Sequence, residues 1–339
     1  VSVTIKDVAK AANVAPSTVS RVIADSPRIS EKTKRKVRQV MKELGYHPNF
    51  IARSLASQST NVIGIVFPAS GNMAFQNPFY SEVLRGISEG VHQKHYGIQL
   101  TTGATEDEIY EDVVRMVQGR RVDGVIMLYS KINDKVIRYL REKEFPFVVI
   151  GKPYDDPEQI THIDNDNITA AKEATKHLLN LGHRRIGFIG GGKDLMVTVT
   201  RLEGYKKALE EYNIPIREDY IIHEEFLLSG GKHGVLEIMS AKEPPTALVV
   251  ADDIMAMGVL RTLHLMGYDI PNSISVISFN NTLFSELSSP PLTTVDINIL
   301  HLGIEAVKNL LAIIENPKEP TKRVIIPHKI IVRSSCARI

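Results

Sequence analysis

Three groups of residues in this 339-residue chain have the types and spacing to do chemistry. The first is APSTVSRVI, residues 15–23. Val19, Val22 and Ile23 repeat at helical spacing and demand burial, which turns Ser17, Thr18 and Arg21 outward. Hydroxyls adapt to base edges or to phosphate, and a guanidinium matches guanine O6 and N7 in a major groove. The second group sits where apolar runs end: Asp252 and Asp253 after VVA, Asn280 and Asn281 after SF, and Gly151, Lys152 and Pro153 after VVI. With Arg201, in TVTRLEGYKKAL, they offer carboxylate, amide and guanidinium groups to a ligand whose hydroxyls both donate and accept. Phe226, in HEEFLLSGG, and Phe79 and Tyr80, in NPFYSEVLRGI, could cover the apolar face of a sugar ring, with core packing as the alternative. The third group consists of near misses. GFIGGGKD has the glycine spacing of a phosphate loop, but Asp194 stands where Ser or Thr should ligate magnesium and would repel phosphate. HIDNDN, residues 162–167, lacks the central glycine and distal glutamate of a calcium loop and reads as a loop with a helix cap. The histidines show no metal-ligand spacing, and no Gly-x-Ser-x-Gly elbow occurs, so neither catalysis nor a metal nor a cofactor is expected.

The first group needs a helical scaffold, and the pattern of residues 1–46 supplies one. Thr4 can cap a helix whose third residue is Asp7, and Ile5, Val8, Ala9 and Ala12 repeat along one face. ANV breaks that helix, and Pro16 suits the first turn of the next. Ser30 caps a third, with an inner stripe of Val37, Val40, Met41 and Leu44 before Gly45 stops it. Three helices with a tight turn between the first two make a helix-turn-helix, whose second helix enters the major groove. Charge agrees. Residues 1–61 hold eleven Lys or Arg against four Asp or Glu, a net +7 within a whole-chain +2, so the remainder is acidic. A basic head on an acidic body points to a polyanion. Lys32, Lys34, Arg35 and Arg38 read as phosphate contacts or as a solvated face. Beyond Pro48, Asn49 can cap about ten helix-compatible residues, too short a helix to stand alone in water. Ala52 and Ala56 offer a small face to a partner helix, and Leu55 is either a contact to the body or a wedge for the minor groove.

From residue 62 the period changes. VIGIVFP, IQLTTG, VDGVIMLY and FPFVVIGK are short β-branched runs separated by helix-like stretches, and the cycle restarts with RRIGFIGG, TALVVADD and ISVISFNN. That is the signature of parallel sheets covered on both faces, one per lobe. Ligands of such sheets collect at the carboxyl ends of strands, where the second group sits. No apolar run is long enough to cross a bilayer, and the start lacks a secretory leader. The single cysteine, Cys336, cannot form an internal disulfide, so a reducing cytoplasm is the expected setting.

TIKDVAKAANVAPSTVSRVI, ISEKTKRKV and LGYHPNFIARSLA resemble the lactose/galactose repressor (LacI/GalR) family of ligand-controlled bacterial transcription regulators. The similarity runs from Thr4 to about Arg333. It implies base reading by Pro16, Ser17 and Arg21, with Thr18 beside them, and phosphate contacts by Thr4, Ser20, Ser30 and Asn49. Leu55 would kink the duplex from a hinge helix that also carries Ala52. The implied fold is an N-terminal all-α helix-turn-helix head (1–48), a hinge helix and linker (49–61), and an α/β body (62–339) of two doubly wound parallel-sheet lobes, similar to periplasmic sugar-binding proteins. The body would bind effector and dimerise. The chain would cross between lobes near His162, Thr294 and Val324, giving a lobe near DNA of about 62–162 and 294–323 and a distal lobe of about 163–293 and 324–339. Effector contacts fall to Phe79, Tyr129, Lys152, Arg201, Phe226, Asp252 and Asn280. Several positions depart from the family: Ala15 lacks a hydroxyl cap, Pro16 stands where some members carry a bulky polar residue, Gly151 stands where some carry Asp, and Asp252 and Asn280 look exchanged. RMVQGRRVDGV, FPFVVIGKPY and RLEGYKKALEE are most similar to the maltose-operon repressors of Gram-positive bacteria. The implied protein is a homodimeric repressor of a sugar-utilisation operon that binds near-palindromic duplex DNA and answers to maltose or a maltodextrin. The alternative is a global carbon-catabolite regulator controlled by a phosphorylated partner protein.

Overall fold

The computed structural model describes residues 3–46, 59–68 and 74–339. The head is three helices, α1 (Ile5–Ala11), α2 (Pro16–Ile23) and α3 (Glu31–Glu43), closed on a small core of Val8, Ala9, Ala12, Val19, Val22 and Val37. So few buried residues contribute little apolar area, and local signals carry much of the specification. The Asp7 carboxylate accepts from the Thr4 N–H at 2.8 Å and from Thr4 Oγ1 at 2.7 Å, and Ser30 Oγ accepts the Thr33 N–H at 3.3 Å. Asn13, at φ 50°, takes the left-handed turn that separates α1 from α2. Leu44 departs from the expected inner stripe. It is the C-cap of α3, where the chain turns away at Gly45, and its side chain is exposed.

The body opens with β1 (Val62–Val66), α4 (Pro78–Gln93), β2 (Gly97–Leu100), α5 (Glu106–Gln118), β3 (Gly124–Met127), α6 (Lys135–Glu142), β4 (Phe147–Ile150) and β5 (His162–Asp164). It continues with α7 (Asn167–Asn180), β6 (Ile186–Gly190), α8 (Met196–Glu211), β7 (Ile221–His223), α9 (Leu228–Ile238), β8 (Ala247–Val250), α10 (Asp253–Leu265), β9 (Ser275–Phe279), α11 (Leu283–Leu287) and β10 (Thr293–Asp296). It ends with α12 (Ile299–Glu315), β11 (Arg323–Ile325) and β12 (Lys329–Ile331). The strands form two sheets, β2-β1-β3-β4-β5-β11 and β7-β6-β8-β9-β10-β12, so the two lobes repeat one topology. Every pairing is parallel except β10 with β12. The seven apolar runs read as strands overlap β1 to β4, β6, β8 and β9. The short β5, β7, β10, β11 and β12 give no comparable run, because three or four partly polar residues held by tertiary pairing carry little periodicity.

The chain passes between sheets after Asp164, after Asp296 and after Ile325. One buried side chain joins all three passages: Asn165 Nδ2 donates to the carbonyls of Ile297 and Ile326, each at 2.9 Å. In the first lobe α4 lies against α12 so closely that a Cβ on Gly86 would stand 2.1 Å from the Leu300 carbonyl oxygen. That contact fixes the start of α4, residues 77–80, at the mouth of the groove between lobes.

Candidate functional site

On the head, burial sorts the side chains of α2. Val19 and Val22 are fully packed, while Pro16, Ser17, Ser20 and Arg21 are exposed and Thr18 is half-buried. Thr4 and Ser30, at the N-caps of α1 and α3, are exposed as well. The Arg21 side chain makes no hydrogen bond or ion pair among the described residues, which leaves its guanidinium free for an external acceptor. Ala15 caps α2 with no side-chain hydrogen bond, so the first N–H groups of that helix also lack a local partner from its side chain. Lys34 departs from the expected phosphate contacts. Its side chain is 7% exposed and its ammonium pairs with Asp25 at 3.1 Å and with Glu31 at 3.0 Å. Arg38 also reaches Asp25, at 2.6 Å, while staying half exposed. Asn49, Ala52 and Leu55 lie outside the described residues.

In the body, all seven residues expected to contact effector (Phe79, Tyr129, Lys152, Arg201, Phe226, Asp252 and Asn280) line one cavity between the lobes. Its polar floor consists of two hydrogen-bonded groups, one around Arg201 and one around Asp252. Arg201, in the first half of α8, donates from Nε to Asn167 Oδ1 at 2.9 Å and from Nη1 to the Ala251 carbonyl at 2.6 Å. Its guanidinium lies 4.3 Å from the centroid of the Phe279 ring, which fixes its plane. Nη2 has no partner among the described residues, although the residue is 3% exposed. Asn167 Nδ2 in turn donates to Asp164 at 2.9 Å. Asp252 caps α10 through the Ile254 N–H at 2.7 Å, and its Oδ2 accepts from Asn77 Nδ2 at 3.0 Å and from Asn280 Nδ2 at 2.8 Å. Asn280 holds φ 108°, a conformation rare for a side-chain-bearing residue, so its amide is aimed by a strained backbone.

Burial dominates the electrostatics. It pushes the Asp252 carboxyl up to about 7, with the neighbouring Asp253 adding to the rise and Asn77 and Arg201 opposing it. Asp164 is raised to about 6, again by burial, and burial lowers the Arg201 guanidinium to about 10. The phenols of Tyr80 and Tyr129 are raised for the same reason. The adjacent carboxylates diverge. Asp253 is fully occupied inside the second lobe, accepting from Ser278 Oγ, Thr294 Oγ1 and both the N–H and Oγ1 of Thr282 at 2.6–3.0 Å. Asp252 faces the cavity.

Aromatic side chains supply the walls. The Phe226 ring packs against Gly191, where a Cβ would stand 2.4 Å from the ring, so the glycine run after β6 serves as a seat for that aromatic. Ser130 Oγ, on the opposite lobe, is buried with no hydrogen-bond partner. The lobes also meet along the backbone beside the cavity: Met196 N–H donates to the Ser130 carbonyl at 3.0 Å and Ile132 N–H to the Asp194 carbonyl at 2.9 Å. Asn77 adds a side-chain contact across the groove through Asp252 and the Phe226 carbonyl.

Sequence reasoning passed over Asn77, Ser130, Asp164, Asn165 and Asn167, which line the same cavity. A signal for three of them stands in HIDNDN: acid and amide residues packed at the end of a strand. Asp166 does cap α7, through Thr169, but its neighbours turn into the cavity. Among the described residues no group of three or more His, Cys, Asp or Glu side chains is placed to hold a metal ion. None of the described helices is long and apolar enough to cross a membrane.

Comparison with known proteins agrees with both halves of this picture. Residues 4–49 match the family described as bacterial regulatory proteins, lacI family, and residues 175–336 match a periplasmic binding protein-like domain. The HTH-type transcriptional regulator MalR of Streptococcus pneumoniae is 41% identical over 336 residues, spanning 97% of this chain and 99% of that protein. A solved structure of a putative transcriptional regulator LacI from Bacillus cereus subsp. cytotoxis is 48% identical, with a TM-score of 0.81 over 82% of this chain and 99% of that one. The crystal structure of the lac repressor dimer bound to operator and the anti-inducer ONPF is 25% identical, with a TM-score of 0.85 over 99% of this chain and 100% of that one.

Proposed function

The chain belongs to the lacI family of bacterial regulatory proteins, and on that premise we propose that it is a homodimeric repressor of a sugar-utilisation operon whose effector is maltose or a short maltodextrin. One observation carries the effector reading: a single interlobe cavity is lined by Arg201, Asp252 and Asn280 together with the aromatic side chains of Phe79 and Phe226. Charged and amide groups suit the hydroxyls of a sugar, and aromatic rings suit its C–H face. The unpartnered Arg201 Nη2 and Ser130 Oγ are groups that a bound sugar would satisfy. Similarity to a solved structure described as a probable maltose operon transcriptional repressor, 31% identical over 82% of this chain, supports maltose among sugars.

The head supplies the operator contact. Ser17 and Arg21 would read base edges, with Pro16 and Thr18 beside them, and Thr4, Ser20 and Ser30 would hold phosphates. Two heads one helical turn apart require two copies of the chain. In the second lobe the exposed side chains Leu283, Phe284 and Leu287 of α11 favour that pairing, being 68%, 42% and 71% exposed. Effector acts by holding the lobes in one relative position, with the contacts of residues 130–132 to 194–196 closed over it. It shifts DNA affinity only as far as it prefers one state over the other. We read the protein as a regulator and not an enzyme, because it carries the lacI-family head and its relatives are transcriptional regulators.

The test is a fluorescence titration of an operator fragment against a panel of maltose, maltotriose, trehalose, sucrose and galactose. Maltose or maltotriose should change operator affinity by about tenfold or more, within the usual span of allosteric coupling, and galactose should not. Operator binding that ignores every sugar but depends on a phosphorylated protein would replace this reading with that of a catabolite regulator. Turnover of maltose, abolished by Asp252→Ala, would replace it with an enzyme.

A further inference from the structure

The chain enters the body at residues 59–61, and one carboxylate gathers all three. Asp123 Oδ1 accepts from the Thr60 N–H at 2.7 Å and from Thr60 Oγ1 at 2.8 Å, while Oδ2 accepts from Ser59 Oγ at 2.6 Å and from the Asn61 N–H at 2.8 Å. Two further backbone bonds close the knot: the Asp123 N–H donates to the Val62 carbonyl at 2.8 Å, and the Gly97 N–H to the Asn61 carbonyl at 2.7 Å. Four charge-assisted bonds on one side chain far exceed what a plain loop needs to turn into a strand.

Asp123 also occupies a particular place. It immediately precedes β3, which pairs in register with β1 from Ile63 and Gly124 to Val66 and Met127. The near end of this strand pair holds the clamp. The far end, roughly 13 Å along at the usual rise per residue, delivers Leu128, Tyr129 and Ser130 to the cavity. A buried, paired strand does not flex over that length, so clamp and cavity wall move as one piece.

We propose that Asp123 is the positioning residue that couples the effector cavity to the head, by making residues 59–61 a rigid extension of the first lobe. A free tether would pass on lobe reorientation only as a small change in effective concentration, whereas a clamped one passes on rotation directly. The inference rests on the regulator reading above and deepens it.

Operator affinity, with and without saturating maltose, and maltose affinity by calorimetry are measured on the full chain and on Asp123→Asn, which keeps the shape but gives up the charge. Maltose affinity should stay within about threefold, while the ratio of operator affinities with and without maltose falls by about fivefold or more toward one. A wild-type ratio in the variant overturns the proposal. Should the wild-type chain bind operator but ignore maltose, the sugar reading fails separately. The clamp is then judged on operator affinity alone, which Asp123→Asn should weaken by about fivefold and whose constancy would refute it. If Asp123→Asn does not fold, the double variant Ser59→Ala, Thr60→Val removes two of the four bonds and faces the same criterion: a reduced ratio supports the clamp, an unchanged one rejects it.

Discussion

The head and the interlobe cavity solve opposite problems with similar side chains. The head keeps Ser17, Ser20 and Arg21 in water on a helix whose inner face is almost all that is buried. The cavity removes Arg201, Asp252 and Asn280 from water and satisfies many of their polar atoms within the protein before any ligand arrives. Exposed arginine costs nothing to leave unpaired, and it can adapt to whichever base or phosphate it meets. A buried guanidinium without partners would be strongly unfavourable, so its environment must be built in advance. Pre-arrangement of this kind selects a ligand, while the exposed face waits for a surface to select it. Lys34 shows the boundary between the two regimes: it belongs to the basic head, yet ion pairs with Asp25 and Glu31 commit it to holding α3 in place.

This contrast breaks first at Arg201. Arg201→Ala removes the donor to Asn167 and Ala251, and sugar affinity measured by calorimetry should fall on the order of 100-fold or more. Operator affinity should remain within about threefold, the scatter expected for sites with no shared partners. A normal sugar response would move the effector site elsewhere. A smaller effect is expected at Arg21. Arg21→Ala should cost about 1–3 kcal/mol on the preferred operator and relax preference at a single base pair, with sugar affinity unchanged. Equal weakening on all sequences would make Arg21 a phosphate contact. As a companion, Lys34→Met should leave the salt dependence of operator binding unaltered, whereas Lys32→Ala should reduce its slope by about one.

The smallest expected effect is in pH. A carboxyl whose folded pKa exceeds its unfolded value keeps its proton in the folded state after the unfolded chain has released it. Stability therefore declines as pH rises from the ordinary 3.8 through about 7 for Asp252. His162, His177 and His183 are lowered by burial and work in the other direction at lower pH, since the unfolded chain there binds the extra protons. Their contribution still grows at the ordinary histidine value of 6.5, and the raised carboxyls of Asp164 and Asp253 act in the same sense as Asp252, so the Asp252 part is read as the difference between the wild-type chain and Asp252→Asn. The urea midpoint of the sugar-free protein, taken relative to that of Asp252→Asn, should drop as pH rises from about 4 to 8. Identical pH profiles for the two proteins would mean that Asp252 is ionised throughout.

Legibility in the sequence followed distance along the chain. Ser17, Thr18 and Arg21 stand within one helix, so the positions of Val19 and Val22 were enough to turn them outward. Strands β3, β6, β8 and β9 were legible as well, because burial on both faces leaves unbroken apolar runs. The seven expected effector residues rested on strand ends and on a family resemblance. Asn77 and Ser130 carried no local mark at all. Asn77 is simply a helix cap in sequence terms, accepting the Phe79 N–H at 2.9 Å, and its contact with Asp252 bridges 175 positions of chain.

The order of apolar and polar residues determined by itself that there would be a three-helix basic head and two repeated α/β layers, since helical and strand periodicities are local properties of the chain. Which carboxylate faces a ligand was settled in three dimensions. Asp252 and Asp253 are adjacent and chemically identical, and only the packing of β9, β10 and the Thr282 loop takes one of them out of reach. Periodicity reports which side of an element is buried, but a hydrogen bond across a hundred residues depends on where folding puts both ends.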